Sequence, residues 1–289
     1  LPELPEVETV RRGLASRLES FIIQSVEVCR DRAIASPGGP FLFVEALQGT
    51  RVGAWKRRGK YLIANLHAST DELSTDGIAD AGLWGVHLRM TGQFQWHPEP
   101  SSTCRHTRVR FWNPEGQELR FVDLRSFGEM WWVPPGEPAE HIMTGLKTLG
   151  PEPFDDAFSA AYLKQKLKGS SRSIKAALLD QAVVAGAGNI YADESLFASG
   201  IAPQTRAGSL SLQQLQQLRE ALVQVLEISI GVGGTTFSDF RDLEGVNGNY
   251  GGQASVYRRT GQSCSRCGGT IQREKLAGRS THWCPGCQH

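Results

Sequence analysis

Pro134-Pro135-Gly136-Glu137-Pro138, running on to Gly150-Pro151-Glu152-Pro153, divides the chain. Proline removes a backbone donor and fixes φ, and glycine adds freedom, so neither a strand nor a helix crosses such a stretch intact. The apolar pattern changes across it. From residue 21 to 135 the apolar runs are short, as in Phe21-Ile22-Ile23, Tyr61-Leu62-Ile63 and Val109-Arg110-Phe111, with turn residues between them. They read as strands. Beyond it, residues 158–167, 174–185, 189–198 and 210–228 have helical periodicity, with Gly186-Ala187-Gly188 as a tight connection. The expected class is therefore α+β. The expected domains are a mostly β one over 1–135, a linker over 136–152, a helical one over 153–250 and a cysteine-bearing tail over 251–289.

At the amino end, Pro2-Glu3-Leu4-Pro5-Glu6 places prolines and acids where a helix begins, and Val7, Val10, Leu14 and Leu18 follow at helical spacing. A first helix is predicted almost from the first residue. With 289 residues, 40% hydrophobic and 21% charged, the chain can bury a core, which excludes disorder and fibrous repeats. No run reaches the roughly 18 apolar residues of a membrane span, and the acidic start is unlike a signal peptide. The expectation is a cytoplasmic protein with no membrane partner.

Net charge is only +1, but its distribution is uneven. Residues 51–60 hold five bases and no acid, 161–175 five and none, and 251–289 six with one acid. The other 225 residues hold 15 bases and 29 acids. Three basic segments on an acidic background predict one positive face, suited to a polyanion.

Cys264-Ser265-Arg266-Cys267, followed after sixteen residues by Cys284-Pro285-Gly286-Cys287, has the spacing of a four-thiolate zinc site. Disulfides are disfavoured in a reducing compartment. A tail of this size needs the metal to fold, and the hairpin between the pairs is then free to present Arg279 and its basic neighbours. Cys29 and Cys104 have no partner in this pattern and read as structural.

Several blocks in order carry a resemblance: Pro2-Glu3-Leu4-Pro5-Glu6-Val7-Glu8-Thr9-Val10-Arg11-Arg12, Arg58-Gly59-Lys60-Tyr61-Leu62, His87-Leu88-Arg89-Met90-Thr91-Gly92, Asp123-Leu124-Arg125-Ser126-Phe127-Gly128, Gly188-Asn189-Ile190-Tyr191-Ala192 and the cysteine tail. Over essentially its whole length the chain resembles the formamidopyrimidine-DNA glycosylases, bacterial enzymes that excise oxidised purines. That resemblance implies an N-terminal β-sandwich flanked by helices, a helix-two-turns-helix domain and a zinc finger. The implied partner is double-stranded DNA carrying oxidised purines such as 8-oxoguanine, bound by a monomer at the nucleoid. The implied reaction is base excision followed by cleavage of the abasic site.

The residues suit that chemistry. A free N-terminal Pro2 is a secondary amine, and α-amines titrate near pH 8, well below lysine, so part of it is neutral and nucleophilic in the cell. Its Schiff base must be cationic and so acts as an electron sink. Glu3 is the neighbouring general acid/base. The resemblance gives Glu6 and Lys60 supporting roles at the active site, and assigns Met90, Arg125 and Phe127 to the void left by the everted nucleotide. It also assigns DNA contacts to His87, Lys175, Asn189 and Arg279. Taken singly these residues have blander readings: helix capping for Pro2, Glu3 and Glu6, core for Met90 and Phe127, a salt bridge to Asp123 for Arg125, an N-cap for Asn189. Gly186-x-Gly188 is too short for a nucleotide-binding loop. The polar stretch 238–250 is expected to close over the lesion base, and 67–84 reads as a surface insertion.

The family opens with a methionine that is removed, whereas this sequence opens with Leu1. The expectation is that Leu1 is the literal translation of a UUG start codon, initiated by methionine in the cell and removed to expose Pro2. Two rival readings stand beside this one. A related oxidised-pyrimidine enzyme of the endonuclease VIII kind usually opens Pro-Glu-Gly-Pro-Glu, and Leu4 with the Met90, Arg125 and Phe127 set favours the purine enzyme. A noncatalytic zinc-ribbon DNA-binding protein is favoured if Leu1 is retained.

Overall fold

The structure, a computed structural model, describes residues 2–68, 79–235 and 248–289. They form two compact units. One holds Pro2, Glu6–Lys147, Thr235 and Gly248; the other holds Glu3–Pro5, Thr148–Gly234 and Asn249–His289.

The first unit opens with α1 (Leu4–Arg17), whose first residues belong to the second unit. Its Val7, Val10, Leu14 and the following Leu18 are buried, as their spacing predicts. Then come β1 (Ser25–Val28), α2 (Gly39–Leu47), β2 (Thr50–Arg58), β3 (Tyr61–Ala68), β4 (Asp80–His87), β5 (Gly92–His97), β6 (Thr107–Trp112), β7 (Glu118–Asp123), β8 (Glu129–Val133) and the short α3 (Ala139–Ile142). The strands pair as two antiparallel sheets, β1-β6-β7-β5 and β2-β3-β4-β8. Alternate side chains of both meet in one core: Trp84 of β4 lies 4.5 Å from the Phe111 ring of β6 and 6.1 Å from Phe94 of β5. Residues 67–68 and 80–84, expected within a surface insertion, instead continue β3 and β4, with Ala64 opposite Trp84 and Asn65 opposite Leu83. What remains of that stretch, 69–78, lies outside the described residues.

The second unit contains α4 (Ala160–Lys166), α5 (Ile174–Leu179), α6 (Asn189–Ser199), α7 (Leu212–Gly231) and a hairpin of β9 (Gln272–Leu276) and β10 (Arg279–Trp283). Ser159, Ser173 and Ser211 cap α4, α5 and α7, the last in a full capping box with Gln214. The helix expected over 174–185 stops at Leu179. Asp180 turns extended and its Oδ1 accepts from the Ala182 N–H at 2.9 Å, while the Gln181 side chain bonds Gly186 N and Ala187 O. These local bonds replace helical ones and produce the turns between α5 and α6. No helix among the described residues is long and apolar enough to cross a membrane.

Candidate active site

Helix α6 begins without a side-chain cap of its own, because Gly188 stands at the N-cap position and Asn189 inside the helix. The missing acceptor comes from the amino end of the chain. Glu3 is buried and its Oε1 accepts the Ile190 N–H at 3.1 Å, so a negative carboxylate faces the positive end of the helix. The fit is close: a Cβ at Gly188 would lie 2.2 Å from the Glu3 carboxyl carbon. Two residues earlier, the Gly186 carbonyl, at φ +86°, accepts from the Leu4 N–H at 3.1 Å, and a Cβ there would lie 2.6 Å from the Leu4 side chain. Gly186-Ala187-Gly188 is thus a seat for residues 3–4. Pro2, which precedes this carboxylate in sequence, is buried, and Leu1 lies outside the described residues.

Glu6 is also buried but serves a different segment. Its Oε1 accepts from Thr235 N at 2.7 Å and Thr235 Oγ1 at 2.9 Å. Glu3 and Glu6, one helical turn apart, hold two distant stretches of chain. The expected lesion loop lies outside the described residues over 238–247.

Lys60 is half-buried at the β2–β3 turn, where Gly59 takes φ +56°. His87 ends β4, and its Nδ1 accepts from the Arg89 N–H at 3.0 Å. Desolvation, with the Arg89 and Lys60 charges, lowers the imidazole to about 3. At cellular pH the ring is therefore neutral, with its proton on Nε2. It offers a phosphate one N–H donor and no charge. A nitrogen NMR titration is expected to show this tautomer unchanged from pH 8 to pH 5; a protonation midpoint above 5 would contradict the assignment. Because the folded value lies below the unfolded one, the ring's contribution to stability is present near neutrality and declines as pH falls from about 6.5 towards 3.

Met90, Arg125 and Phe127 stand on two turns outside the core, β4–β5 and β7–β8. Phe127 is 39% exposed and the Arg125 guanidinium carbon lies 5.3 Å from its ring centroid. Asp123 makes no salt bridge to that guanidinium. Its buried carboxylate accepts from Arg125 N at 3.1 Å, Gly128 N at 2.7 Å and Thr91 Oγ1 at 2.5 Å, which leaves the arginine head exposed. The signal of Asp123 in the sequence was only its place in the block.

Lys175 is fully enclosed. Its ammonium pairs with Asp193 Oδ1 at 2.7 Å and donates to Ser280 O at 2.8 Å and Thr281 Oγ1 at 2.8 Å. Burial lowers its pKa against the pull of Asp193. In this structure the lysine contacts protein where the resemblance placed DNA. Asp193 Oδ2 accepts from the His282 N–H at 2.9 Å, and Asn189 Nδ2 donates to Ser280 O at 3.0 Å. Glu194 accepts the N–H groups of Ser255, Val256 and Tyr257. Successive acids of α6 therefore hold the β9–β10 hairpin and the segment before it, with Arg279 exposed at the start of β10. Sequence reading missed Asp193 and Glu194, because acids on a helix ordinarily face solvent.

The four tail cysteines bring their sulfurs within 4.8 Å of one another, with Cys264 and Cys287 at 3.8 Å and Cys267 and Cys284 at 3.4 Å. These separations are far beyond a disulfide and close to the roughly 3.8 Å edge of a tetrahedron of thiolates about 2.3 Å from one zinc. The donor set fits that ion.

Family models match in chain order: the formamidopyrimidine-DNA glycosylase N-terminal domain over residues 1–130, the H2TH domain of the same enzymes over 149–241, and a zinc finger found in FPG and IleRS over 261–289. Formamidopyrimidine-DNA glycosylases of Parasynechococcus marenigrum and Prochlorococcus marinus (strain MIT 9313) are 67% and 65% identical, each over all of both chains. Among solved structures, a point mutant of the Lactococcus lactis FPG in complex with DNA containing Fapy-dG matches with TM-score 0.88 and 33% identity, covering all of both chains. The same bacterium's wild-type FPG with oxidised-pyrimidine DNA matches with TM-score 0.86 and 33% identity, again over all of both chains.

Proposed function

Because the chain belongs to the formamidopyrimidine-DNA glycosylase family and is a DNA glycosylase/AP lyase of base-excision repair, we propose that it excises oxidised purines through a Schiff base on Pro2. The observation that carries this reading is the seating of Glu3 against α6. A buried, immobilised carboxylate directly follows the candidate nucleophile in sequence. A carboxylate serving only as a surface helix cap would need no glycine kept clear for it.

The Pro2 nitrogen lone pair bonds to C1′, and the electrons of the glycosidic bond leave with the damaged base, which takes up a proton. The N–H proton that Pro2 sheds on bonding passes to the Glu3 carboxylate, which delivers it to O4′ as the C1′–O4′ bond breaks, leaving a cationic C1′ iminium. Loss of a C2′ proton sends electrons toward the iminium and expels the 3′ phosphate. Loss of the C4′ proton then expels the 5′ phosphate. Met90, Arg125 and Phe127 fill the space of the everted nucleotide, with the guanidinium addressing the orphaned cytosine. Lys60, His87, Asn189 and Arg279 supply phosphate contacts, and Glu6 fixes Thr235 at the entrance to the lesion loop. Lys175 acts on DNA only through the hairpin it holds. A zinc ion on Cys264, Cys267, Cys284 and Cys287 supplies stability, not chemistry. The enzyme works as a monomer on chromosomal DNA.

Borohydride reduction of protein bearing a free Pro2, mixed with an 8-oxoguanine:cytosine duplex, is expected to yield a covalent adduct that maps to Pro2. No adduct, with the free amine verified by intact mass, would sink the reading. Oxidised pyrimidines are a second substrate class, favoured by the similar enzyme solved with such DNA, and a thymine glycol duplex in the same assay ranks the two.

A further inference from the structure

Thr91 belongs to neither the core nor the side chains assigned to the void, yet it sits where their two turns meet. Its Oγ1 donates to Asp123 Oδ1 at 2.5 Å and accepts the Arg125 N–H at 3.0 Å. The next residues of both turns rest on one buried ring: a Cβ at Gly92 would lie 2.7 Å, and one at Gly128 2.6 Å, from Cζ of Phe121. Met90 therefore cannot shift relative to Arg125 and Phe127 without breaking the hydroxyl's bonds or lifting a glycine from that floor.

We propose that Thr91 is a positioning residue for reading the base opposite the lesion, its hydroxyl fastening the Met90 turn to the Arg125–Phe127 turn as one probe of fixed spacing; this rests on the glycosylase reading above. The physical reason is preorganisation. Two independently mobile turns lose freedom separately on entering the duplex, and a loosely held guanidinium finds hydrogen-bond partners on more than one base. A guanidinium on a fixed turn reaches acceptors only where the right base places them, so rigidity becomes discrimination. Thr91 touches no DNA in this scheme and acts through Arg125.

The test compares parent protein bearing a free Pro2 with Thr91→Ser and Thr91→Val. Single-turnover excision of 8-oxoguanine is measured opposite cytosine and opposite adenine, alongside melting temperature. Serine keeps the hydroxyl and is expected to keep the parent's cytosine preference. Valine keeps the shape and loses both bonds, while Asp123 still accepts the Arg125 N–H, and the preference is expected to fall at least about threefold. Equal slowing opposite both bases would mark a merely structural role and overturn the proposal, as would an unchanged preference or a loss in Thr91→Ser as large as in Thr91→Val. Should the valine protein melt early, Thr91→Ala is scored by the same ratio. A parent that excises nothing defeats the glycosylase reading itself; an active parent with no preference for cytosine defeats only the Arg125 assignment and this proposal with it.

Discussion

Gly188→Ala is expected to slow single-turnover base excision by roughly 10²–10³-fold, the range for displacing a positioned acid/base group, while changing lesion-duplex affinity by less than about threefold. The new methyl would stand 2.2 Å from the Glu3 carboxyl carbon and 2.5 and 2.6 Å from its oxygens, distances no contact tolerates. Gly188 sits at the N-cap of α6, so the backbone is fixed by the helix that follows and the carboxylate is what must move. Moving it also strips the Ile190 N–H of its acceptor. The φ of −140° at Gly188 is open to alanine, so any effect comes from the lost space and not from backbone strain. Glu3→Gln, which keeps the volume but not the acid, serves as the comparison. An alanine protein that excises at the parental rate would show that the carboxylate does not need this seat.

Removing the metal is expected to weaken binding to a lesion duplex by at least ~10²-fold, through loss of the hairpin that presents Arg279. The core beneath that hairpin is small: Phe197, Val256, Cys264, Ile271 and Cys284, two of them from the clustered cysteines. Four unbridged thiols leave little apolar area to oppose chain entropy. Undocking also frees Lys175 from Ser280 O and Thr281 Oγ1 and Asp193 from His282, so a fully buried ion pair loses its supporting bonds. The first unit, with six of the seven tryptophans, has its own core and should keep its near-ultraviolet signature after metal removal. Chelation with metal content followed by mass spectrometry, and anisotropy with a labelled duplex, decide this. Metal-free protein that binds with parental affinity would refute the expectation, and Cys267→Ser should reproduce the chelator.

The fold class was legible because its signals are local. Short apolar runs with turn residues between them give strands, the helical spacing of Val7, Val10 and Leu14 gives a helix, and the spacing of two Cys-x2-Cys pairs gives the tail. The α5 boundary was not legible. Nothing in the apolar pattern announces that Asp180 and Gln181 will bond backbone groups of the next turn, because such bonds compete with the helix only once the turn exists. The surroundings of Lys175 were illegible for a different reason. It lies in a basic cluster, and a charge cluster says nothing about which member will meet a carboxylate from another helix.

Within the site, the sequence alone showed which residue types stand together in blocks. It could not decide what each group faces. Glu3 and Glu6 are both acids at the start of one helix, and only tertiary contact sends the first to α6 and the second to Thr235. Gly188 and Thr91 carry no chemistry of their own and matter through a space and a hydroxyl whose partners lie far along the chain. Periodicity and spacing are set by covalent neighbours, whereas partnership among buried polar groups is set by which distant segments the core brings within hydrogen-bond reach, and that is decided only when the chain has packed.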